Sequence, residues 1–341
     1  MSYRIAINGF GRIGRMILRA FLESRLRNPL AYEALEFVAI NDLGNTQTNA
    51  HLFHYDSVHG PFQGSVDADE THLIIEGYPI KTLAIADPSQ LPWKELSIDI
   101  VFECSGRFTE RAKAEAHLKA GAQKVLISAP AEGADLTVVY GVNQNKIKPT
   151  DKIVSNASCT TNCLAPVASV LHQSIGIEKG YMTTIHAYTG DQSLVDQIHK
   201  DLRRARAAAL SIIPSTTGAA RAVGLVLPEL KGKLDGTALR VPVPNVSLID
   251  LTFIATRPTE ASEINTLMMQ ASQNTLKGIL DVSKVPLVSS DFNHTSASAI
   301  FDTTETSVLD GTLCRVLAWY DNEWGFSNRM LDTALVLGQA S

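Results

Sequence analysis

Cys159 stands in Ser155-Asn156-Ala157-Ser158-Cys159-Thr160-Thr161-Asn162-Cys163, a small, hydroxyl-rich segment. Strand-like runs at 138–142 and 152–154 lead into it, and a helix-like run over 164–172 leaves it. This order predicts that Cys159 sits at a helix start, with Ser155 or Ser158 as N-cap. The first N–H groups of a helix lack intrahelical partners and carry partial positive charge, which favours thiolate over thiol. A buried structural cysteine in a Ser/Thr-rich turn is the competing reading. A reactive thiol needs a base. Among nine histidines, His186 is the candidate, because it closes the strand-like run 181–185 next to a polar turn. His51, His54, His59, His72, His117, His172, His199 and His294 lack such placement and read as surface or packing histidines.

Cys163 follows one helical turn after Cys159 and is expected to face inward. With no second cysteine pair elsewhere, metal ligation is not expected. An anion could be gripped by the hydroxyls and backbone N–H groups of Ser158, Thr160, Thr189, Thr217 and Gly218, and by the guanidinium fork of Arg240. Turn chemistry for the threonines and a surface ion pair for Arg240 are the plainer alternatives.

The elements that would position these groups begin at the N-terminus. A strand over 3–8 runs into Gly9-Phe10-Gly11-Arg12-Ile13-Gly14, and a helix follows. In that context Gly9 allows a tight turn, Gly11 lets backbone approach a pyrophosphate, and Gly14 lets helix and strand pack closely. The helix places Ile13, Ile17, Ala20 and Phe21 on one face, with Arg12, Arg15, Arg19 and Glu23 elsewhere. A second strand, 35–41, ends at Asp42, an acidic residue suited to ribose hydroxyls. The interval from Gly14 is 28 residues, longer than the usual ~20, and a loop over 25–34 would account for the excess. Strands at 99–103 and 124–127 flank a helix at 110–120, so Ser105, Gly106 and Ser128 fall at strand ends where a cofactor would lie. Cys104 reads as a small core residue at a strand end.

Strand–helix alternation makes the first part an α/β, Rossmann-type doubly wound parallel sheet. The second part, with an irregular stretch up to Gly218 and strands at 237–241, 246–256 and 313–320, reads as an α+β domain with a largely antiparallel sheet. The expected division is 1–157 for dinucleotide binding, 158–322 for catalysis, and 323–341, with an amphipathic helix at 327–337, packing back on the first domain. A chain of 341 residues, 45% hydrophobic and 19% charged, supports two such cores. A net charge of −5 makes nucleic acid an unexpected partner. The basic run 200–206 reads as a salt-bridged or phosphate-facing loop. No apolar run reaches the ~18 residues that span a bilayer. The run 1–7 reads as a strand rather than a signal peptide. Four scattered cysteines point to a reducing, cytoplasmic setting.

Six segments together resemble the phosphorylating glyceraldehyde-3-phosphate dehydrogenases. They are Asn8 to Gly14, Ser155 to Cys163, His186-Ala-Tyr-Thr-Gly-Asp191, Ser215-Thr-Thr-Gly-Ala219, Leu239-Arg-Val-Pro242 and Trp319-Tyr-Asp-Asn-Glu323. The resemblance implies oxidation of glyceraldehyde 3-phosphate with NAD and inorganic phosphate. Cys159 would form a thiohemiacetal and then a thioester, with His186 as base lowering the thiol pKa. It further implies that Thr189 and Arg240 hold the substrate phosphate, and that Ser158, Thr160, Thr217 and Gly218 hold the attacking phosphate. Arg12, Ile13 and Asp42 would hold adenosine and pyrophosphate, with Ser128 and Asn322 near the nicotinamide. The stretch 187–217 resembles the family's S-loop, which implies a homotetramer. The chain departs from the family pattern at Ala86 and at Gln197-Ile198. Erythrose-4-phosphate dehydrogenase is the nearest alternative activity. A cysteine hydrolase using the same Cys–His pair would leave the glycine motif and Asp42 without a role, and a non-catalytic binding protein would leave Cys159 and His186 without one.

Overall fold

The computed structural model describes residues 2–340; Met1, in the opening strand-like run, and Ser341, in the closing segment, lie outside the described residues. The chain divides into two compact units. The first holds 1–138, 144–157 and 327–341; the second holds 139–143 and 158–326. The expected division has its boundary at 157/158, and the change of unit falls after Ala157. It differs in giving 139–143 to the second unit and in returning at Ser327 rather than Glu323.

The first unit is built on β1 (Tyr3–Asn8), α1 (Arg12–Arg27), β2 (Leu35–Asn41), α2 (Thr46–His54), β3 (Val66–Ala68), β4 (His72–Ile75), β5 (Tyr78–Leu83), β6 (Ile100–Glu103), α3 (Arg111–Lys119), β7 (Lys124–Ile127), β8 (Leu136–Thr137) and β9 (Ile153–Ser155). These strands form one sheet in the order β3-β4-β5-β2-β1-β6-β7-β9-β8, parallel except for the β3–β4–β5 flap. Every residue of β6 and β7 is buried, as expected of parallel strands covered on both faces. Gly9 takes φ +93°, and a Cβ there would fall 2.5 Å from the Ser105 nitrogen; a Cβ on Gly14 would fall 2.3 Å from the Gly9 carbonyl. Only glycine lets the turn, the next strand end and the helix meet this closely.

The second unit comprises α4 (Cys159–Ser174), β10 (Ile177–Ala187), β11 (Ile213–Ser215), α5 (Ala219–Val226), β12 (Leu234–Val241), β13 (Ser247–Ala255), α6 (Ala261–Gln273), β14 (Leu280–Ser283), β15 (Ala299–Asp302), β16 (Ser307–Leu309) and β17 (Leu313–Tyr320); α7 (Trp324–Gln339) begins in it and continues in the first. The sheet order is β11-β12-β10-β13-β17-β15-β14, with β16 on β17. Its pairings are antiparallel except β10–β12 and β14–β15. Along β13 each buried residue is followed by a more exposed one, the period-2 signature of a sheet with one face on the core.

Several expectations change. Residues 138–142 are not a strand; pairing stops at Thr137, and the Val139 N–H donates to the Asn143 side chain instead. α1 continues to Arg27, so the loop before β2 is shorter than 25–34. Arg15 and Arg19 are buried, not solvent-facing. Arg19 donates to the carbonyls of Phe53, His54 and Gly60, which repays its desolvation with hydrogen bonds. The stretch up to Gly218 contains β11, paired with β12. The segment 327–337 is not two-faced: Ser327, Asn328, Arg329 and Thr333 are buried along with the apolar residues. Thr333 donates to Asn156, and the Lys124 ammonium donates to the Leu337 and Ala340 carbonyls at the helix end.

Candidate active site

Ser158 has extended backbone, and its hydroxyl accepts from the Thr161 N–H at 3.1 Å, so it is the N-cap of α4; Ser155 instead donates to the Ala129 carbonyl. Cys159 is therefore the first helical residue, and no acidic residue follows in that turn. The Cys159 sulfur lies 3.5 Å from His186 Nε2. Cys163 is fully buried behind it, with its sulfur facing the Ala318 carbonyl. All four cysteines are free thiols, and among the described residues no group of metal-ligating size forms.

Sheet register brings the base and the guanidinium together. His186 and Arg240 are direct partners on the parallel strands β10 and β12. Arg240 Nη1 lies 2.6 Å from His186 Nδ1 and donates to the Ala187 carbonyl at 2.9 Å. Arg240 Nε is buried with no acceptor in the protein, as expected of a donor kept for an anionic ligand. Burial, and then the Arg240 charge, push the imidazole down to about 3, so it is neutral near neutral pH. Burial also pushes the Cys159 thiol up, against the pull of Arg240 and of the Thr160 hydroxyl and first-turn N–H groups. The sequence-based expectation of a lowered thiol pKa is thus corrected: the downward pull exists but burial outweighs it.

Thr160 does not present its hydroxyl as an anion ligand would require. That hydroxyl is buried and meets the Tyr320 hydroxyl at 2.9 Å, as does Thr184 on β10. Tyr320 also lies edge-on to His186, with ring centroids 5.9 Å apart. It clamps the first turn of α4 to the end of β10, a role the sequence reading missed although it quoted the residue. A tyrosine closing a strand four residues before a helix was the available signal.

Ser158, Thr217 and Gly218 do converge. Thr161 bonds Ser158 and donates to the Ala219 carbonyl, and the Ala219 N–H donates to the Thr217 hydroxyl. The starts of α4 and α5 therefore meet, and Gly218 caps α5 without a side chain. Two positive helix ends at one place suit an anion. Thr189 is turned toward Asp191, which pairs with Arg204, itself bonded to Ser215. Arg206 pairs with Asp196, so two of the four basic residues in the run 200–206, Arg204 and Arg206, are in ion pairs. Asn322 accepts from Ser247, which accepts from the Ala187 N–H.

The other half of the predicted set lies in the first unit. Asn8, Gly9, Gly11, Asn41, Asp42, Ala86, Cys104 and Ser105 line one groove at the carboxyl ends of β1, β2 and β6. Gly11 is the N-cap of α1 with no side-chain cap, and a Cβ on it would meet only open space. Gly14 packs as described above. Asp42 accepts from the Phe10 and Gly44 N–H groups, so it braces the glycine turn while facing the groove. The Arg12 guanidinium pairs with Asp56, which leaves its main chain, with that of Ile13, as what the helix start offers a pyrophosphate. Ser128 follows β7, its N–H bonded to the Glu103 carbonyl. Cys104 is half-buried at the groove rather than in the core.

Two family models match the chain: the glyceraldehyde 3-phosphate dehydrogenase NAD binding domain over residues 3–111, and the C-terminal domain of the same enzyme over 158–322. The chain is 60% identical to glyceraldehyde-3-phosphate dehydrogenase of Xanthobacter flavus, covering 99% of both chains. It is 57% identical to the plasmid-borne enzyme of Cupriavidus necator over the whole of both chains. It is 52% identical to the Geobacillus stearothermophilus enzyme over 98% of each.

Proposed function

This chain belongs to the glyceraldehyde-3-phosphate dehydrogenase family, and from that premise we infer its reaction: oxidation of D-glyceraldehyde 3-phosphate with NAD and inorganic phosphate to 1,3-bisphosphoglycerate. The observation that carries the residue roles is the Cys159–His186 contact with Arg240 in register beside it. The groove residues fit a dinucleotide, because the uncapped start of α1 and the open space at Gly11 suit a pyrophosphate, and Asp42 suits ribose hydroxyls. Gly9, Gly11, Arg12, Ile13, Gly14, Asp42, Ser105, Ser128 and Asn322 would hold NAD. Bound NAD supplies the acceptor for the hydride that leaves the substrate carbon.

Cys159 attacks the aldehyde carbon, and its proton passes to His186 Nε2. That requires Nε2 to be bare, so the His186 proton sits on Nδ1 and is donated to the Ala187 carbonyl, 2.7 Å away. His186 returns that proton to the developing alkoxide, giving the thiohemiacetal hydroxyl, and takes it back as the carbon is oxidised, leaving a thioester on Cys159. Inorganic phosphate attacks that carbon and expels the Cys159 thiolate. Arg240 and Thr189 hold the substrate phosphate. Ser158, Thr217 and Gly218, at the joined starts of α4 and α5, hold the attacking phosphate, and Thr160 contributes through its main chain.

A homotetramer in the cytoplasm completes the reading. Its support is the S-loop region, where Leu194, Val195, Ile198, Leu202, Leu210 and Ile212 are all exposed, more apolar surface than a solvated loop carries. The free thiols fit a reducing compartment. No helix among the described residues is long and apolar enough to cross a membrane. The deciding assay follows NADH formation from glyceraldehyde 3-phosphate, with and without inorganic phosphate, and from erythrose 4-phosphate. Phosphate-dependent turnover of the triose is expected. Preferential, phosphate-independent oxidation of erythrose 4-phosphate would overturn it.

A further inference from the structure

We propose that Glu103 and His117 are positioning residues for NAD: one buried carboxylate, held by one histidine, fixes the strand ends that shape the groove. The proposal rests on the reading that this groove takes NAD. Both side chains are fully buried, and neither belongs to the Cys159 chemistry.

Glu103 is the last residue of β6, and its carboxylate accepts from four donors. Asn8 Nδ2 donates at 2.6 Å, the Ser105 N–H at 2.8 Å, the Ser105 hydroxyl also donates, and His117 Nε2 lies at 2.9 Å. Asn8 and Ser105 both line the groove. From Asn8 the chain of bonds continues. Asn41 donates to the Asn8 side chain at 2.7 Å and to the Ile85 carbonyl at 2.9 Å, and accepts from the Ile85 N–H. Four groove-lining positions, Asn8, Asn41, Ile85 and Ser105, are thereby tied to one carboxylate. Ser105 backbone is also what a Cβ on Gly9 would strike. Where Glu103 holds Ser105 therefore sets how the glycine turn lies.

His117, on α3, fixes Glu103 in turn. Trp93 Nε1 lies 3.0 Å from His117 Nδ1. An indole N–H can only donate, so Nδ1 must accept, and the imidazole proton must sit on Nε2, where it is donated to Glu103. Trp93 thus selects the tautomer that Glu103 needs. The His117 ring also lies edge-on to Phe108, another groove-lining side chain, with centroids 6.1 Å apart. In a buried network with every member partnered, removal of one donor leaves an unsatisfied acceptor that relaxes by moving its neighbours.

The test compares His117→Phe with His117→Gln in the full-length enzyme. Phenylalanine keeps the ring but loses both hydrogen bonds; glutamine can accept from Trp93 and donate to Glu103. Calorimetric titration with NAD should show His117→Phe binding about tenfold more weakly, equivalent to ~1.4 kcal/mol. Its KM for NAD should rise in parallel, while kcat at saturating NAD falls less than about threefold and iodoacetamide alkylation of Cys159 without NAD keeps its rate. His117→Gln should recover most of the affinity. Wild-type affinity in His117→Phe, or equal loss in both variants, overturns the proposal. If His117→Phe does not fold, Trp93→Phe carries the test, since it frees the tautomer while keeping both Glu103 and His117. A clear loss of NAD affinity supports the proposal and an unchanged affinity overturns it. Failure of the wild-type protein to bind NAD in the same titration would instead sink the reading of the groove.

Discussion

His186 has two neighbours at one nitrogen that ask for different things. The Ala187 carbonyl accepts a proton from Nδ1, whereas the Arg240 guanidinium can only donate toward it. The first arrangement makes the imidazole a base toward Cys159; the Arg240 charge resists the imidazolium that results. An anionic substrate at Arg240 would offset that charge, so binding and base strength are coupled at one residue. The depressed pKa also has a consequence for stability. Below about 6.5 an unfolded histidine takes a proton that folded His186 refuses until about 3, so ligand-free stability must fall as pH drops through that window. Asp56, held at about 2 by Arg12 and the His59 and Val58 N–H groups despite its burial, loses its contribution only below about 3.8. His186→Asn should therefore flatten the decline in thermal midpoint between pH 6.5 and 4, worth at most ~1.4 kcal/mol per pH unit, and leave the steeper loss below it. An unchanged slope in the upper window would show that His186 is not shielded as described.

At the scale of elements, the reactive cysteine depends on how α4 begins. Ser158 was legible as one of two cap candidates, with Ser155, because a Ser before a helix-like run is a local signal. Its hydroxyl is committed to the Thr161 N–H and to the Thr161 hydroxyl. Ser158→Ala should cost ~1 kcal/mol of stability by chemical denaturation. It should also slow alkylation of Cys159, because the first-turn N–H groups that face the sulfur lose their anchor. A variant with the alkylation rate of the wild type would mean that Tyr320 alone fixes the turn. The strand expected at 138–142 failed for a related reason. Apolar residues there satisfy a β pattern, but a strand exists only where a neighbour has open N–H and C=O groups, and β9 offers Leu136 and Thr137 their partners two residues earlier. The buried α7 was misread in the same manner, since Thr333 and its neighbours are polar yet find partners inside.

For the whole molecule, the stretch 187–217 carries a run of exposed apolar side chains. Ile198 and Leu202 are almost wholly exposed, and burying a side chain of this kind is worth ~1.5–3 kcal/mol. In a homotetramer these residues would be covered by another copy. Ile198→Glu combined with Leu202→Glu should shift sedimentation from about four times the 36.9 kDa chain mass toward smaller species. Retention of the full mass would place the interface elsewhere. In the same loop the charges of Arg204 and Arg206 are balanced by Asp191 and Asp196.

The sequence by itself determined the parts that short-range physics controls. The glycine turn between β1 and α1, the cap that makes Cys159 the first residue of a helix, and the strand ending near His186 each rest on neighbours a few positions away. Their combination in order was also enough to place the chain in its family. Only the tertiary structure decided which side chains meet across long separations. His186 stands beside Arg240 because β10 and β12 pair in that register, Tyr320 reaches Thr160 because β17 ends over α4, and Glu103 reaches His117 and Asn8 because β1, β6 and α3 pack together. A register shift of one residue would turn His186 to the other face of the sheet. Propensity and spacing do not encode that choice; the burial of one particular face does.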